Sequence, residues 1–395
     1  MSLIDKKVSV KKLSECLFII LIMFPFIQLR TYQELPLIIQ NFYSVFEIIS
    51  SSIIFVYLIL KRKLKLNNFC LLIIVYVLFY IINTIINYPE GLLYCGRKMI
   101  VQLALVLFVN DRLSNKTDSM IHSLAIIYHF YIIMNIIFYI IFPNGILEPS
   151  VVSYHHVHFL GDDNALIYVI FPGIIIGIID SYMRCGKIKI INFLEIMSCE
   201  LIFIKLWTVS SFVCFSLFIM LLILNHFKKI NIYFLIMSFI VIILILFFGL
   251  NLDFVQSIIV NVLHKPINLS GRVQLWEQSF KMIIQKPFFG YGGYYKFGLF
   301  KVNGGLYQCH TPFLQIIIDI GIVGATTFVN SVVICIKSIK KNYYNIISQV
   351  LSIGILCIFI NYIFEYTEFT HILILLSIAF NVDKIKVKTD VKKNV

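Results

Sequence analysis

Between Ser270 and Gly324 the chain reads SGRVQLWEQSFKMIIQKPFFGYGGYYKFGLFKVNGGLYQCHTPFLQIIIDIGIVG. Arg272, Trp276, Ser279, Phe280 and Ile283 recur at helical spacing, which predicts an amphipathic helix at a membrane surface. Ser270 is placed to cap that helix, and Lys286-Pro287 is placed to end it. Gly290, Gly292 and Gly293 then permit positive φ and close backbone approach. His310 stands just ahead of a long apolar run. Over residues 251–312 six cations (Lys265, Arg272, Lys281, Lys286, Lys296 and Lys301) face only Asp253 and Glu277. That balance suits an anionic ligand, and a diphosphate at a lipid surface fits it. Arginine is the side chain best shaped for multidentate phosphate contacts. The bland readings are that basic loop residues meet lipid headgroups and that a lone histidine at a span end is structural. A Gly-x-Gly-Gly with no Lys-Ser/Thr after it is not a nucleotide loop.

Other chemistry-bearing groups are sparser. His155, His156, His158, Asp162 and Asp163 form a cluster that reads either as a divalent-metal site or as a solvated polar loop; we expect no metal. Asp319, Glu365 and Glu368 are carboxylates in or beside apolar runs, where such groups are functional by default. They are positioned to contact sugar, orient His310 or pair with Lys205. Cys95 and Cys309 fall on one side of the membrane, where a disulfide could survive. The other seven cysteines read as small apolar filler.

The elements that must position these groups follow from composition. The chain has 395 residues, of which 60% are hydrophobic and 13% charged, with a mean hydropathy of +0.92. Soluble globular chains carry about 45–50% apolar and about 25% charged residues. A soluble protein, a disordered chain and a disulfide scaffold are thus excluded, and nucleic acid is not an expected partner because the basic residues sit in short loops. A helix needs about 20 apolar residues to cross a bilayer. Twelve runs qualify: 13–30, 35–60, 66–87, 93–110, 120–142, 165–182, 191–206, 208–226, 230–250, 313–336, 345–364 and 366–382. The fold class is therefore an all-α polytopic membrane protein with about twelve transmembrane helices, forming one integral membrane domain over residues 1–395. The first run lacks a small-residue cleavage pattern and reads as an anchoring helix.

Most of the 33 Lys and Arg residues fall in every second loop. The positive-inside rule then places both termini in the cytoplasm. Merging 191–226 into one re-entrant pass would invert every later loop and break the rule. Two segments, 143–164 and 251–312, lie on the outer face and exceed ordinary loop length. The longer one is expected to be folded and to hold the site.

The motif resembles the signature region of the O-antigen ligase and Wzy-type O-antigen or capsular polysaccharide polymerase superfamily. Its residues here are Gly271-Arg272, Trp276, Pro287-Phe288-Phe289-Gly290-Tyr291-Gly292, His310, Leu314, Gly321 and Gly324. The long outer loop between the ninth and tenth spans extends the likeness, as does Gly161-Asp162-Asp163-Asn164-Ala165 at the start of a middle span. The chain departs from the family pattern at Thr311-Pro312, where Asn often follows the histidine. It departs again at Ser210-Ser211, where the family often has Ser-Arg. Lys205, or Arg97 and Lys98, are candidates to replace that missing charge.

The resemblance implies a GT-C-like glycosyltransferase in the bacterial cytoplasmic membrane. It implies transfer of a glycan from undecaprenyl diphosphate to an acceptor hydroxyl on the outer face, without a cofactor or metal. His310 is then the expected base, since imidazole is poised near neutral pH. Arg272 is the expected diphosphate clamp, with Arg97 as partner. Lys98, Lys205, Trp276, Gly290, Gly292, Asn164 and Asp319 are the expected substrate-binding residues. The expected partners are the undecaprenyl-diphosphate-linked oligosaccharide, membrane lipid and a chain-length regulator protein. A polymerase joining repeat units with inversion is the reading chosen. An O-antigen ligase acting on lipid A-core and a lipid-linked oligosaccharide flippase are the alternatives; a flippase would call for internal repeats, which the sequence lacks.

Overall fold

Hydrocarbon offers no water to the peptide group, so a spanning segment must satisfy its backbone hydrogen bonds within itself. In the computed structural model each of the twelve apolar runs accordingly coincides with a helix. The structure describes residues 3–61, 66–147, 156–250, 252–293, 300–302, 305–307, 309–367 and 369–388. In chain order the helices are α1 (Leu3–Met23), α2 (Leu37–Leu60), α3 (Asn68–Asn87), α4 (Leu92–Asn115), α5 (Thr117–Ile141), α6 (Leu166–Cys185), α7 (Ile190–Leu206), α8 (Val209–Phe227) and α9 (Ile232–Phe248). There follow α10 (Asp253–Ser257), α11 (Arg272–Gln285), the hairpin strands β1 (Phe300–Val302) and β2 (Gly305–Tyr307), then α12 (Pro312–Lys341), α13 (Ile346–Phe364) and α14 (Thr370–Phe380). The chain is an all-α polytopic membrane protein.

All twelve expected spans are helical, and they differ in length and charge. Among the described residues eight helices are long and apolar enough to cross a membrane: α2 to α6, α8, α12 and α13. The remaining four fall short for different reasons. Lysines occupy the first half of α1, and Glu195, Glu200 and Lys205 interrupt α7. α9 and α14 are apolar but short; the 11 residues of α14 rise only about 16 Å. The division between α7 and α8 holds. Trp207 takes a left-handed φ of 51° and turns the chain within two residues.

α6 and α13 are buried along nearly their whole length and form the axis of the bundle. α2 instead turns Ile38, Phe42, Ile49 and Val56 outward, as a lipid-facing helix must. The lysine-bearing end is closed by ion pairs, including Lys61–Asp111 at 2.5 Å, Arg112–Glu15 at 3.3 Å and Arg184–Asp180 at 2.7 Å. The opposite end carries the long segment between α9 and α12, which is folded as expected from α10, α11 and the hairpin.

Two local features fix that segment. First, α12 is interrupted at Gly321, whose φ of 65° and ψ of −177° are accessible to glycine alone. The exposed turn pairs with the Pro287–Gly292 stretch. Ile322 N donates to Pro287 O at 2.8 Å, Tyr291 N to Ile318 O at 2.9 Å and Gly292 N to Asp319 O at 2.9 Å. Asn83 of α3 seals the junction by donating to the carbonyls of Phe289 and Asp319. Second, α11 begins at Arg272 behind three residues of positive φ, Leu269 (50°), Ser270 (59°) and Gly271 (88°). Ser270 makes no capping hydrogen bond to the helix, so the expected serine cap is corrected to a left-handed turn. One face of α11 packs inward through Leu275, Trp276 and Ser279, while Phe280 and Ile284 remain exposed.

Candidate functional site

Glu365 terminates α13 and is buried, and three elements converge on it. Arg272, the first residue of α11, donates from Nη2 to Glu365 Oε1. Its Nε donates to Phe364 O at 2.7 Å and its Nη1 to Leu269 O at 3.3 Å. Trp276, one turn along α11, packs its ring 6.4 Å from that of Phe364. The tryptophan therefore seats α11 on the end of α13 and sets Arg272 over the carboxylate. From α8, Ser210 Oγ donates to Glu365 Oε1 at 3.2 Å. Where the family often has Ser-Arg, this chain thus places a hydroxyl on the same acid.

His310 leads into α12 with a φ of 52°, a conformation a non-glycine residue holds only when its surroundings enforce it. Its Nδ1 lies 4.0 Å from Glu365 Oε2. Burial, and then the guanidinia of Arg272 and Arg30, pull the imidazole pKa down to about 4. His310 is therefore a neutral imidazole at pH 7, about a third exposed with a side-chain accessibility of 34%, and able to accept a proton.

Arg30 is the residue sequence reasoning missed. It sits in a turn between α1 and α2, with its guanidinium 5.6 Å above the Tyr168 ring. Burial opposes its charge, but Tyr168, Asp162 and Glu365 outweigh that and raise its pKa. Its signal in the sequence was its position, as a lone arginine at the end of the first apolar run.

The other expected residues are dispersed. Gly290 and Gly292 make the backbone approach to α12 described above. A Cβ on Gly290 would collide with the carbonyl of Ile318, and one on Gly292 would meet Tyr88 Cβ at 2.9 Å. Asp319, below this junction, accepts from Gln315 Nε2 at 2.8 Å and from Tyr80 OH at 3.3 Å. A small cleft beside it is lined by Gln102, Tyr76 and Tyr366, one residue from Glu365. Arg97, the expected partner of Arg272, lies over Tyr94 of its own helix at 5.7 Å, and Lys98 is buried in α4. Lys205 lies over Tyr139 at 5.5 Å, away from Asp319. Asn164 lies in the turn that precedes α6.

In the loop ahead of α6 His158 Nε2 pairs with Asp163 Oδ1 at 3.0 Å, and Asp162 Oδ1 accepts from Ala165 N at 2.8 Å. His155 lies outside the described residues, as do Glu368 and Lys296. Among the described residues no three His, Cys, Asp or Glu side chains are grouped to hold a metal ion. Cys95 and Cys309 are free, buried thiols; Cys95 meets Thr84 and Cys309 meets Gln315.

The site thus joins a neutral imidazole, a buried carboxylate and two guanidinia at the mouth of a helical bundle. Residues 203–329 match the family model described as O-antigen ligase. The matched region runs from the end of α7 to the middle of α12. It contains Lys205, Arg272, Trp276, Gly290, Gly292, His310 and Asp319. Arg30, Tyr168 and Glu365 come from outside it and complete the site. No curated protein and no solved structure matches the chain. The match supports a membrane enzyme of the O-antigen ligase or polymerase type, a glycosyltransferase-like activity.

Proposed function

We propose that this protein is a polysaccharide polymerase. It joins undecaprenyl-diphosphate-linked repeat units on the outer face of the bacterial cytoplasmic membrane, with both termini in the cytoplasm. The meeting of His310, Arg272 and Glu365 at one point of the outer face supports this reading. His310 takes the proton from the acceptor hydroxyl. The hydroxyl oxygen attacks the anomeric carbon, and the bond from that carbon to the diphosphate oxygen breaks. The electron pair leaves with the lipid diphosphate, whose charge the guanidinia stabilise. Attack from the face opposite the leaving group inverts the anomeric centre. Neutral imidazole suits the first step, and Nδ1 is close enough to Glu365 that a shift of about 1 Å makes a hydrogen bond. That bond orients the ring and leaves Nε2 for the acceptor.

Membrane lipid surrounds the polyprenyl tail in this scheme, and a chain-length regulator protein is its expected partner. A second reading, ligation of finished polymer to an acceptor such as lipid A-core, is favoured by the description of the matching family model itself.

The test is a gel of surface polysaccharide from a strain lacking this protein, complemented with wild type or His310→Ala. A single-repeat product that only the wild type converts to a ladder identifies a polymerase. Long polymer left on its lipid carrier identifies a ligase. Absence of lipid-linked repeats from the outer face would overturn both readings in favour of a flippase.

A further inference from the structure

We propose that Arg30 is the principal contact for the anionic head of a lipid-linked diphosphate at this site. The inference rests on the reading of the site given above. It assigns the charge that the Ser210-Ser211 departure removes, and assigns it to a helix pair outside the matched region.

The argument begins with what Arg272 has already committed. An arginine has five N–H donors. Arg272 directs Nε, Nη1 and Nη2 to Phe364 O, Leu269 O and Glu365. Its charge is neutralised by a carboxylate that is itself buried. Arg272 therefore builds the site, by holding Glu365 beside His310, and has little left for a ligand.

Arg30 differs in each respect. Among the described residues it forms no ion pair, and its guanidinium rests on the Tyr168 ring. Its charge is nonetheless felt at the reacting centre, because it depresses the His310 imidazole together with Arg272. Asp162 and Glu365 act on the Arg30 charge, but among the described residues neither closes an ion pair with it, so its guanidinium can turn to a diphosphate.

The position of Arg30 is fixed on two sides. Its backbone N donates to Leu160 O at 3.0 Å. The neighbouring Thr31 Oγ1 donates to His158 O at 2.8 Å and Phe159 O at 2.7 Å. On the far side the Tyr168 hydroxyl donates to Tyr366 O at 3.1 Å, next to Glu365. A planar cation held by a ring and by backbone at its base is pre-organised, so little is lost in ordering it when an anion arrives.

The test measures binding of farnesyl diphosphate, farnesol and inorganic pyrophosphate to the full chain purified in detergent. Wild type is expected to bind farnesyl diphosphate more tightly than farnesol. Arg30→Gln is expected to weaken farnesyl diphosphate about tenfold, as loss of a charged hydrogen-bonding contact does, with farnesol unchanged. In a polymer assay Arg30→Gln should also move the acid limb of the pH profile upward, since His310 loses a neighbouring cation; a structural role alone would not move it. Unchanged farnesyl diphosphate binding in Arg30→Gln overturns the inference and leaves the functional reading standing. Wild type that does not prefer the diphosphate to the alcohol overturns that reading and the inference with it. Equal affinity for inorganic pyrophosphate and farnesyl diphosphate overturns the lipid-linked source. Should Arg30→Gln not fold, Tyr168→Phe removes the hydroxyl that ties the ring beneath Arg30 to Tyr366. It is expected to weaken farnesyl diphosphate several-fold and leave farnesol unchanged, and no change overturns the inference.

Discussion

The Arg272 guanidinium closes on the Glu365 carboxylate across 93 residues of sequence, and this pair is the fixed point around which the site is assembled. It links the first residue of α11 to the last turn of α13, with Ser210 of α8 and His310 ahead of α12 grouped about the same acid. Breaking a buried pair leaves an uncompensated charge and costs about 3–5 kcal/mol in well-buried cases. Arg272 retains a side-chain accessibility of 20%, so a smaller loss, roughly 1–3 kcal/mol, is expected here. Glu365→Gln should lower the thermal midpoint of the detergent-solubilised protein and abolish polymer. The double variant Arg272→Ala/Glu365→Gln should be less destabilised than the sum of the single changes. Strict additivity would mean that the two side chains do not support one another.

His310→Ala should eliminate polymer while the protein remains in the membrane at wild-type abundance. With the imidazole held at about 4, the base is already neutral at pH 7 and stays so down to about pH 5. Protonation disables a base, so activity should be level over that range and fall as the pH drops through about 4. A limb near the ordinary histidine value of about 6.5 would show that burial and the two arginines do not depress the ring. Polymer of normal length from His310→Ala would remove the histidine from the chemistry.

Trp276→Ala should weaken the fold by about 3 kcal/mol, the usual scale for emptying a buried aromatic site. It should also reduce activity beyond what the lost protein explains, because α11 would no longer be seated on Phe364. Trp276→Phe keeps most of the packing and should recover most of both. Equal activity per folded molecule in wild type and Trp276→Ala would show that Arg272 is held by its own hydrogen bonds alone.

Gly321→Ala should be among the most damaging single-methyl changes in the chain. The backbone there is one L-residues avoid, and the new Cβ would strike the Phe288 carbonyl. A penalty on the order of 1–3 kcal/mol from conformation alone is expected, with undocking of the Pro287–Gly292 stretch. Protease sensitivity near Phe288 and Phe289, both exposed, should rise. An unchanged digestion pattern would show that the junction tolerates another backbone path.

A chelator should leave polymer synthesis intact. In the His158–Asp163 loop Asp163 is paired with His158, and Asp162 caps the start of α6, so the donors are already engaged. Activity lost to a chelator and restored by zinc or manganese would instead assign that loop a metal.

Much of this protein was legible from its residues alone. Hydrocarbon forces each apolar run into a helix, so the twelve runs each located a helix, although the first, 13–30, lies well past the start of α1 at Leu3. The Gly271-Arg272, Trp276 and His310 signals lie close together in sequence, and their types limit the chemistry they can do. Helix length was less legible: α14 reads as a full span because apolarity continues past its ends, whereas the helix runs only from Thr370 to Phe380.

Tertiary structure decided the partners. Arg97 matched Arg272 in type and in side of the membrane, but its helix directs it onto Tyr94. Glu365 could be recognised as a boundary carboxylate, yet its place between Arg272 and His310 depends on how α8, α11, α12 and α13 end at a common level. Gly290 and Gly292 read as a phosphate-like turn because positive φ serves any close approach. Only the break at Gly321 shows that the approach is to α12. Arg30 was visible as an isolated cation and nothing more. Local sequence determines which segments are helical. Which loop residues meet is set by the lateral packing of helices, and no local pattern encodes that arrangement.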